Sequence, residues 1–327
     1  MTTRRSFLGA VAGGLGAAVA GRRLGSAGEA KQTPLGLQLY SLRGALAKDL
    51  PGTLAQIKGW GIDEVESAGF YNRTAAEFAG ELKTAGLKCP AMHIGYDRLG
   101  SHLDEVVKEA EMVGATTIIN PYLPHDRSTP LATREEMLRA ADDFAKWSKR
   151  IRAAGLRFGY HIHGQEFGPA PEGTLFDVFA EQVGPEVGFE FDIYWIVAGG
   201  ADPLALMKKY EGRVWYTHLK DMAEGAKEKG YGPDTKVVLG TGKLDIPAIV
   251  KAGPGAGVEI HFPAAERRDP VGQLPQSLEY YEGLKVHDGQ ERHHETRRHR
   301  PGSCPRPGCL PAAGVASRRD GGRGAPH

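Results

Sequence analysis

Histidines and carboxylates recur at the ends of short apolar runs in this chain, often two residues apart. Tyr160-His161-Ile162-His163 is followed by Glu166, Phe189-Glu190-Phe191-Asp192 carries two acids, and Thr217-His218-Leu219-Lys220-Asp221 combines an imidazole, an amine and an acid. Gln38, Glu66, His93 and Asn120 close four other such runs. In an extended segment residues i and i+2 face the same side, so each pair places two polar groups on one face. A lone His or Glu at a strand end is ordinarily a hydrogen-bonded or solvated residue. A whole set walled by apolar residues has to be compensated by mutual pairing, a substrate or a metal. Imidazole plus carboxylate suits a divalent ion, and the residue types do not choose among Mn, Co, Zn and Mg. The same side chains are those that general acid–base catalysis uses.

What must position them is legible in the alternation between Pro34 and Lys285, where short β-branched or apolar runs are separated by helical patterns, the signature of βα units on a parallel sheet. Strands are expected at Leu35–Tyr40, Glu64–Ser67, Lys88–His93, Thr116–Asn120, Arg157–His161, Val187–Asp192, Val214–Leu219 and Val258–Phe262. Helices between them include Leu50–Trp60, Leu103–Val113 with Ser101 as its cap, Arg134–Ala153 and Val271–Gly283. Eight units in about 250 residues predict an α/β fold of the (β/α)8 TIM barrel type, with functional groups at the carboxyl ends of the strands. A doubly wound open sheet alternates in the same way. No Gly-x-Gly-x-x-Gly follows the first expected strand, so dinucleotide binding has no support.

The two ends have a different character. Thr3-Arg4-Arg5-Ser6-Phe7-Leu8, a mild Gly/Ala-rich run to Ala20 and then Arg22-Arg23 read as a twin-arginine export signal over residues 1–30. The apolar run is too short for a bilayer, which needs about 20 residues. A periplasmic or secreted protein without a membrane partner in its mature form is therefore expected, with residues 31–285 as the barrel. From 286 to 327 Arg, His, Pro and Gly replace apolar periodicity, which predicts a disordered tail. A reading-frame change in GC-rich coding sequence would produce the same mixture. A formal net charge of +1 over 327 residues offers no general electrostatic case for nucleic acid, leaving a small molecule as the expected partner. Cys89, Cys304 and Cys309 suggest no disulfide framework.

The stretches LGLQLYSLR from Leu35, YHIHGQEFGP from Tyr160, FEFDIYWIVAGGADPLALMKKYEGRVWYTHLKDM from Phe189 and VVLGTGKLDIPAIV from Val237 resemble the sugar phosphate isomerase/epimerase family of xylose isomerase-like barrels. The resemblance implies a divalent metal in the barrel mouth and a sugar-like polyol or keto-sugar as ligand. It puts metal ligands at His161, Asp192 and His218, with His163 facing the same side; among the polar residues at strand ends, Gln38, His93, Asn120 and Lys220 are further candidate substrate contacts. Asp221, next to Lys220, shares that role or forms a surface ion pair with it. Glu66, Glu166 and Glu266 are the candidate acids and bases. The eighth strand departs from the pattern: Ala264 occupies the position where a glutamate ligand is expected, and Glu266 is the nearest substitute. The implied reaction is proton transfer next to a carbonyl through a metal-stabilised enediolate, giving isomerisation or epimerisation of a sugar. A lyase or hydratase acting on 3-keto-glycosides is the related alternative. A catalytically impaired sugar- or metal-binding barrel is the alternative that Ala264 motivates.

Overall fold

The computed structural model describes residues 35–124, 132–171, 173–226, 235–253, 259–262 and 269–298. Eight parallel strands, β1 Leu35–Gln38, β2 Glu64–Ser67, β3 Lys88–His93, β4 Thr117–Asn120, β5 Arg157–His161, β6 Val187–Asp192, β7 Val214–His218 and β8 Glu259–Phe262, pair neighbour to neighbour and close when β8 pairs with β1. This is the (β/α)8 barrel expected from the alternation. β1 ends two residues early, at Gln38, because the Gln38 side chain accepts from the Tyr40 N–H at 2.7 Å and turns the chain into a short 3-10 segment, Leu39–Leu42. Tyr40 is consequently 48% exposed instead of lying on a strand face.

Alternation along the strands separates two environments. Leu37, Val65, Met92, Ile118, Phe158, Phe189 and Phe191 are buried in one continuous core with the helices. Ala91, Ile119 and Tyr216 form a separate small cluster. Near it Arg157 donates to Thr117 Oγ1 at 3.1 Å and to the Tyr216 hydroxyl at 2.9 Å, so the starts of β4 and β5 are tied to the middle of β7. Parallel register then sets the functional level at the other end: His161 lies beside Glu190, and Asp192 beside His218.

Local signals explain most helices. Arg134–Ala153 starts at a capping box between Thr133 and Glu136 and buries Met137, Ala140, Phe144, Trp147 and Ile151 on one face. Phe144 alone packs against Phe158 at 4.8 Å and Phe179 at 5.2 Å between ring centroids, and burying such a ring is worth about 1.5–3 kcal/mol. The expected helix Leu103–Val113 follows a kink at His102 (φ −136°, ψ 34°), and a further helical stretch from Tyr96 runs into it. Ser101 lies inside that stretch and donates to the Asp97 carbonyl at 2.7 Å, so it is not an N-cap. Ile193–Ala198 is a short helix that follows β6 directly, with Asp192 as its N-cap. The last helix runs Pro270–Arg298, thirteen residues past the expected boundary at 285; the Glu, Gln and Arg of that stretch favour helix without needing an apolar face. Residues 1–34 and 299–327, with the export signal and the rest of the tail, lie outside the described residues. No helix among the described residues is long and apolar enough to cross a membrane.

Candidate metal centre

At the carboxyl end of the barrel, β2, β3, β5, β6 and β7 bring five buried or nearly buried groups together. His93 Nε2 is 2.7 Å from Glu190 Oε2 and 2.9 Å from Glu66 Oε1. His161 Nδ1 is 2.8 Å from Glu190 Oε2, and His218 Nε2 is 2.8 Å from Glu66 Oε2 and 3.3 Å from Glu190 Oε1. One donor atom from each of His93, His161, Glu190 and His218 lies within 4.8 Å of the other three. Three imidazoles and a carboxylate converging in this way form a donor set that fits a divalent ion.

Asp192 faces the same histidines from the other side. Its Oδ2 is 4.0 Å from His161 Nε2, 3.7 Å from His218 Nδ1 and 2.8 Å from Lys220 Nζ, while Oδ1 accepts the Trp195 N–H at 3.2 Å. Each of the two imidazoles therefore meets a glutamate through one ring nitrogen and turns the other toward Asp192. Burial and charge compete throughout the cluster. Burial opposes the positive form of His93, but Glu66 and Glu190 outweigh it and hold the group at about 9. His218 is raised well above the ordinary imidazole value in the same way, with Glu190 the main opponent of burial. Burial wins at His161, whose pKa falls to about 4. Glu190 and Asp192 are held low against burial, by His218 and His93 in the first case and chiefly by Lys220 in the second.

Above the cluster opens a cavity of about 530 Å³ whose wall includes His93, His163, Tyr122, Trp195, His218 and Lys220. His163 packs at 5.4 Å from Tyr122 and 5.5 Å from Trp195, and burial drives its pKa far below the ordinary value. The following turn requires glycine: Gly164 has φ +87°, and a Cβ there would stand 2.4 Å from the Trp195 carbonyl oxygen. This close approach seats the short turn Gln165–Phe167 and buries Glu166, which accepts from the Tyr160 hydroxyl and, at 3.4 Å, from the His163 N–H. Burial raises the Glu166 pKa.

Of the residues singled out from sequence, Glu66, His93, His161, Asp192 and His218 meet in the cluster, and Gln38, His163 and Lys220 line the cavity. Glu166 sits behind His163 on Tyr160 and is not a cavity residue. Asn120 is a clamp: it donates to the Ile94 carbonyl at 2.9 Å and accepts from the Tyr122 N–H at 3.3 Å, so it ties two loops together. Lys220 and Asp221 form no surface ion pair, since both are buried and Lys220 bonds Asp192. Ala264 and Glu266 lie outside the described residues. Glu190, Tyr122 and Trp195 were not assigned roles from sequence. The spacing of Glu190 and Asp192, two residues apart on one strand, was the available signal for the first.

Known proteins carry the same architecture. An inosose dehydratase of Bacillus cereus is 31% identical over 104 residues, 31% of this chain and 34% of that protein, so the likeness spans about a third of the relative's length. A sugar phosphate isomerase/epimerase structure from Parabacteroides distasonis ATCC 8503 superposes with a TM-score of 0.63 at 24% identity, covering 76% of this chain and 97% of that one. An IolI protein structure with a bound zinc atom superposes with a TM-score of 0.58 at 13% identity, covering 77% and 96% of the two chains. At these identities the two structures speak for the fold. Residues 54–252 match a family described as the xylose isomerase-like TIM barrel, and it is to this family that the chain belongs.

Proposed function

We propose that the protein is a divalent-metal-dependent enzyme that moves a proton next to the carbonyl of a sugar or related polyol, as an isomerase or epimerase. The observation that carries this reading is the spacing on the Asp192 side of the cluster. Donors bound to one tetrahedral ion at about 2.1 Å each stand about 3.4 Å apart, and the 3.7 and 4.0 Å separations of Asp192 Oδ2 from His218 Nδ1 and His161 Nε2 are close to that value. The 2.7–2.9 Å contacts made by Glu66 and Glu190 are instead hydrogen-bond distances, suited to fixing ring orientation from behind. His161, Asp192 and His218 would thus hold the ion through the ring nitrogens turned away from the glutamates, in preference to the set of His93, His161, Glu190 and His218, whose closest contacts are hydrogen bonds. An ion there supplies a Lewis acid for neighbouring substrate oxygens.

The chain's own groups divide the remaining work. Glu66, bonded to His93 and His218 and fully buried, does not line the cavity, so its part in proton transfer would run through His93, which does. Lys220 gives the cavity wall a fixed positive charge beside Asp192 and orients substrate oxygens. His163 lines the cavity, and its Nδ1 has no hydrogen-bond partner among the described residues. The aromatic faces of Tyr122 and Trp195 suit the apolar face of a sugar ring.

Dehydration is the second reading, favoured by the 31% identity to an inosose dehydratase. Both reactions begin with loss of a proton next to a carbonyl, and they part when a neighbouring hydroxyl leaves. Incubating the metal-loaded enzyme with keto-sugars and inososes in D2O separates them by NMR. Deuterium exchange with an isomeric product supports isomerisation, and an unsaturated product supports dehydration. Absence of both across such a panel with full metal occupancy would leave the site a binding site only. On the same reading, the Arg4-Arg5 segment directs the enzyme out of the cytoplasm.

A further inference from the structure

We propose that the cavity wall at the end of β1 is a second ring-binding subsite, and that the ligand is a sugar linked to a further sugar ring, one on each side of the mouth; this rests on the reading of the cavity as a sugar site. Going either way round the barrel, three strands separate β1 from β5, so the residues that follow these two strands face each other across the mouth. On the β5 side, His163, Tyr122 and Trp195 supply one surface for a ring. Gln38, Tyr40 and Ser41 line the cavity from the β1 side and supply another.

Both kinds of group that hold a sugar ring are present on that wall. Gln38 and Ser41 are each 3% exposed, and Gln38 Nε2 and Ser41 Oγ have no hydrogen-bond partner among the described residues. Buried polar atoms are ordinarily paired, so two unpaired ones on one cavity wall call for hydroxyls from a ligand. Tyr40 supplies the apolar surface. Its N–H is fixed by Gln38 Oε1 and its carbonyl by Arg43 Nη1, both at 2.7 Å, and the Arg43 guanidinium stands 4.0 Å from the ring centroid. Tied down in this way the residue is still 48% exposed, a preorganised aromatic ring held at the mouth with surface free for stacking. Register sets the depth of the wall: Gln38 pairs with Glu66 of the cluster, so the wall runs from the level of the metal centre out to Tyr40. The cavity volume of about 530 Å³ lies in the range of about 300–1,000 Å³ that takes drug-sized ligands, more than one sugar ring fills.

Isothermal titration calorimetry on the zinc-loaded full chain tests this by comparing fructose, tagatose and sorbose with the keto-disaccharides lactulose, turanose and isomaltulose. The tightest disaccharide should bind about tenfold or more tightly than the tightest monosaccharide. Tyr40→Ala should remove most of that advantage, and Tyr40→Phe, which keeps the ring, should preserve it. Ser41→Ala deletes a hydroxyl that bonds nothing among the described residues, so its thermal midpoint should not fall, while its disaccharide affinity should drop by about threefold or more. Equal or tighter binding of monosaccharides by wild type, or an advantage that survives in folded Tyr40→Ala, overturns the second subsite and leaves the sugar reading standing. If Tyr40→Ala does not fold, Ser41→Ala decides: unchanged disaccharide affinity or a lowered midpoint overturns the proposal. Binding of neither class of sugar by wild type would instead remove the sugar reading, and the second subsite with it.

Discussion

His161 meets Glu190 through Nδ1 at 2.8 Å, and this contact turns the Nε2 of the same ring toward Asp192. Orientation of a ligating imidazole by a carboxylate on its far nitrogen ordinarily affects metal affinity by about 10–100-fold. Glu190→Gln is accordingly expected to bind zinc about 10–100-fold more weakly than wild type while reaching full occupancy at high zinc. Competition with a chelator of known affinity measures it, and unchanged affinity would show that Glu190 orients nothing.

Lys220 and a bound ion compete for the same oxygen, Asp192 Oδ2. In the metal-free protein Lys220→Met leaves a fully buried carboxylate without its cation, a loss of about 3–5 kcal/mol. Zinc should restore most of that stability, so the gap between metal-free and metal-loaded denaturation midpoints widens in the variant. An equal loss in both states would mean that the ion does not reach Asp192. Turnover in the loaded variant should still fall, by about 10²-fold, because the positioned charge is gone.

The metal-free protein should also respond to alkali. His93 is held at about 9 against an ordinary 6.5, so its pairing with Glu66 and Glu190 stabilises the fold fully below pH 6.5 and is lost as pH rises through about 9. Urea midpoints at pH 6 and pH 9.5 in chelator should decrease in that order, and His93→Gln should flatten the difference. Because a bound ion displaces protons from imidazole, zinc uptake at pH 7 should release protons into an unbuffered solution.

The final helix, Pro270–Arg298, contributes Leu274, Leu278 and Tyr281 to the core, all before residue 285. A chain ending at Lys285 should therefore keep its fold with a Tm change of about 2 °C or less, whereas Leu278→Ala should cost about 2–5 kcal/mol. Thermal unfolding followed by circular dichroism distinguishes these, and a large loss on truncation would assign the 286–298 segment to the folded domain.

The strands were legible because each is a short apolar run with its polar group at one end: the observed bounds of β2, β3, β5 and β6 are those expected from the sequence. The helix Ile193–Ala198 was not, because its unbroken apolar run carries no helical periodicity and its cap, Asp192, had already been given to the site. Glu190 was visible as one of two acids on its strand, but its role was not. Its three histidine contacts come from β3, β5 and β7, and only closure of the barrel brings these strands to one level. Glu166 and Asn120 carried the right chemistry for a site, yet nearby partners claim them: Tyr160 six residues before the first, and the Ile94 and Tyr122 backbone for the second. Residue type and spacing therefore indicate which strand ends are polar, and tertiary hydrogen bonding decides which of those groups remain for a ligand.

The central claim is that an ion is held between His161, Asp192 and His218. The direct measurement is divalent metal content of purified, folded Asp192→Ala and His218→Ala proteins after saturation with zinc and gel filtration, beside wild type and Asn120→Ala as a clamp control. Loss of most bound metal in the first two, with occupancy retained in the control, is the expected result. Full occupancy in Asp192→Ala and His218→Ala, with near-UV circular dichroism confirming their fold, would contradict it.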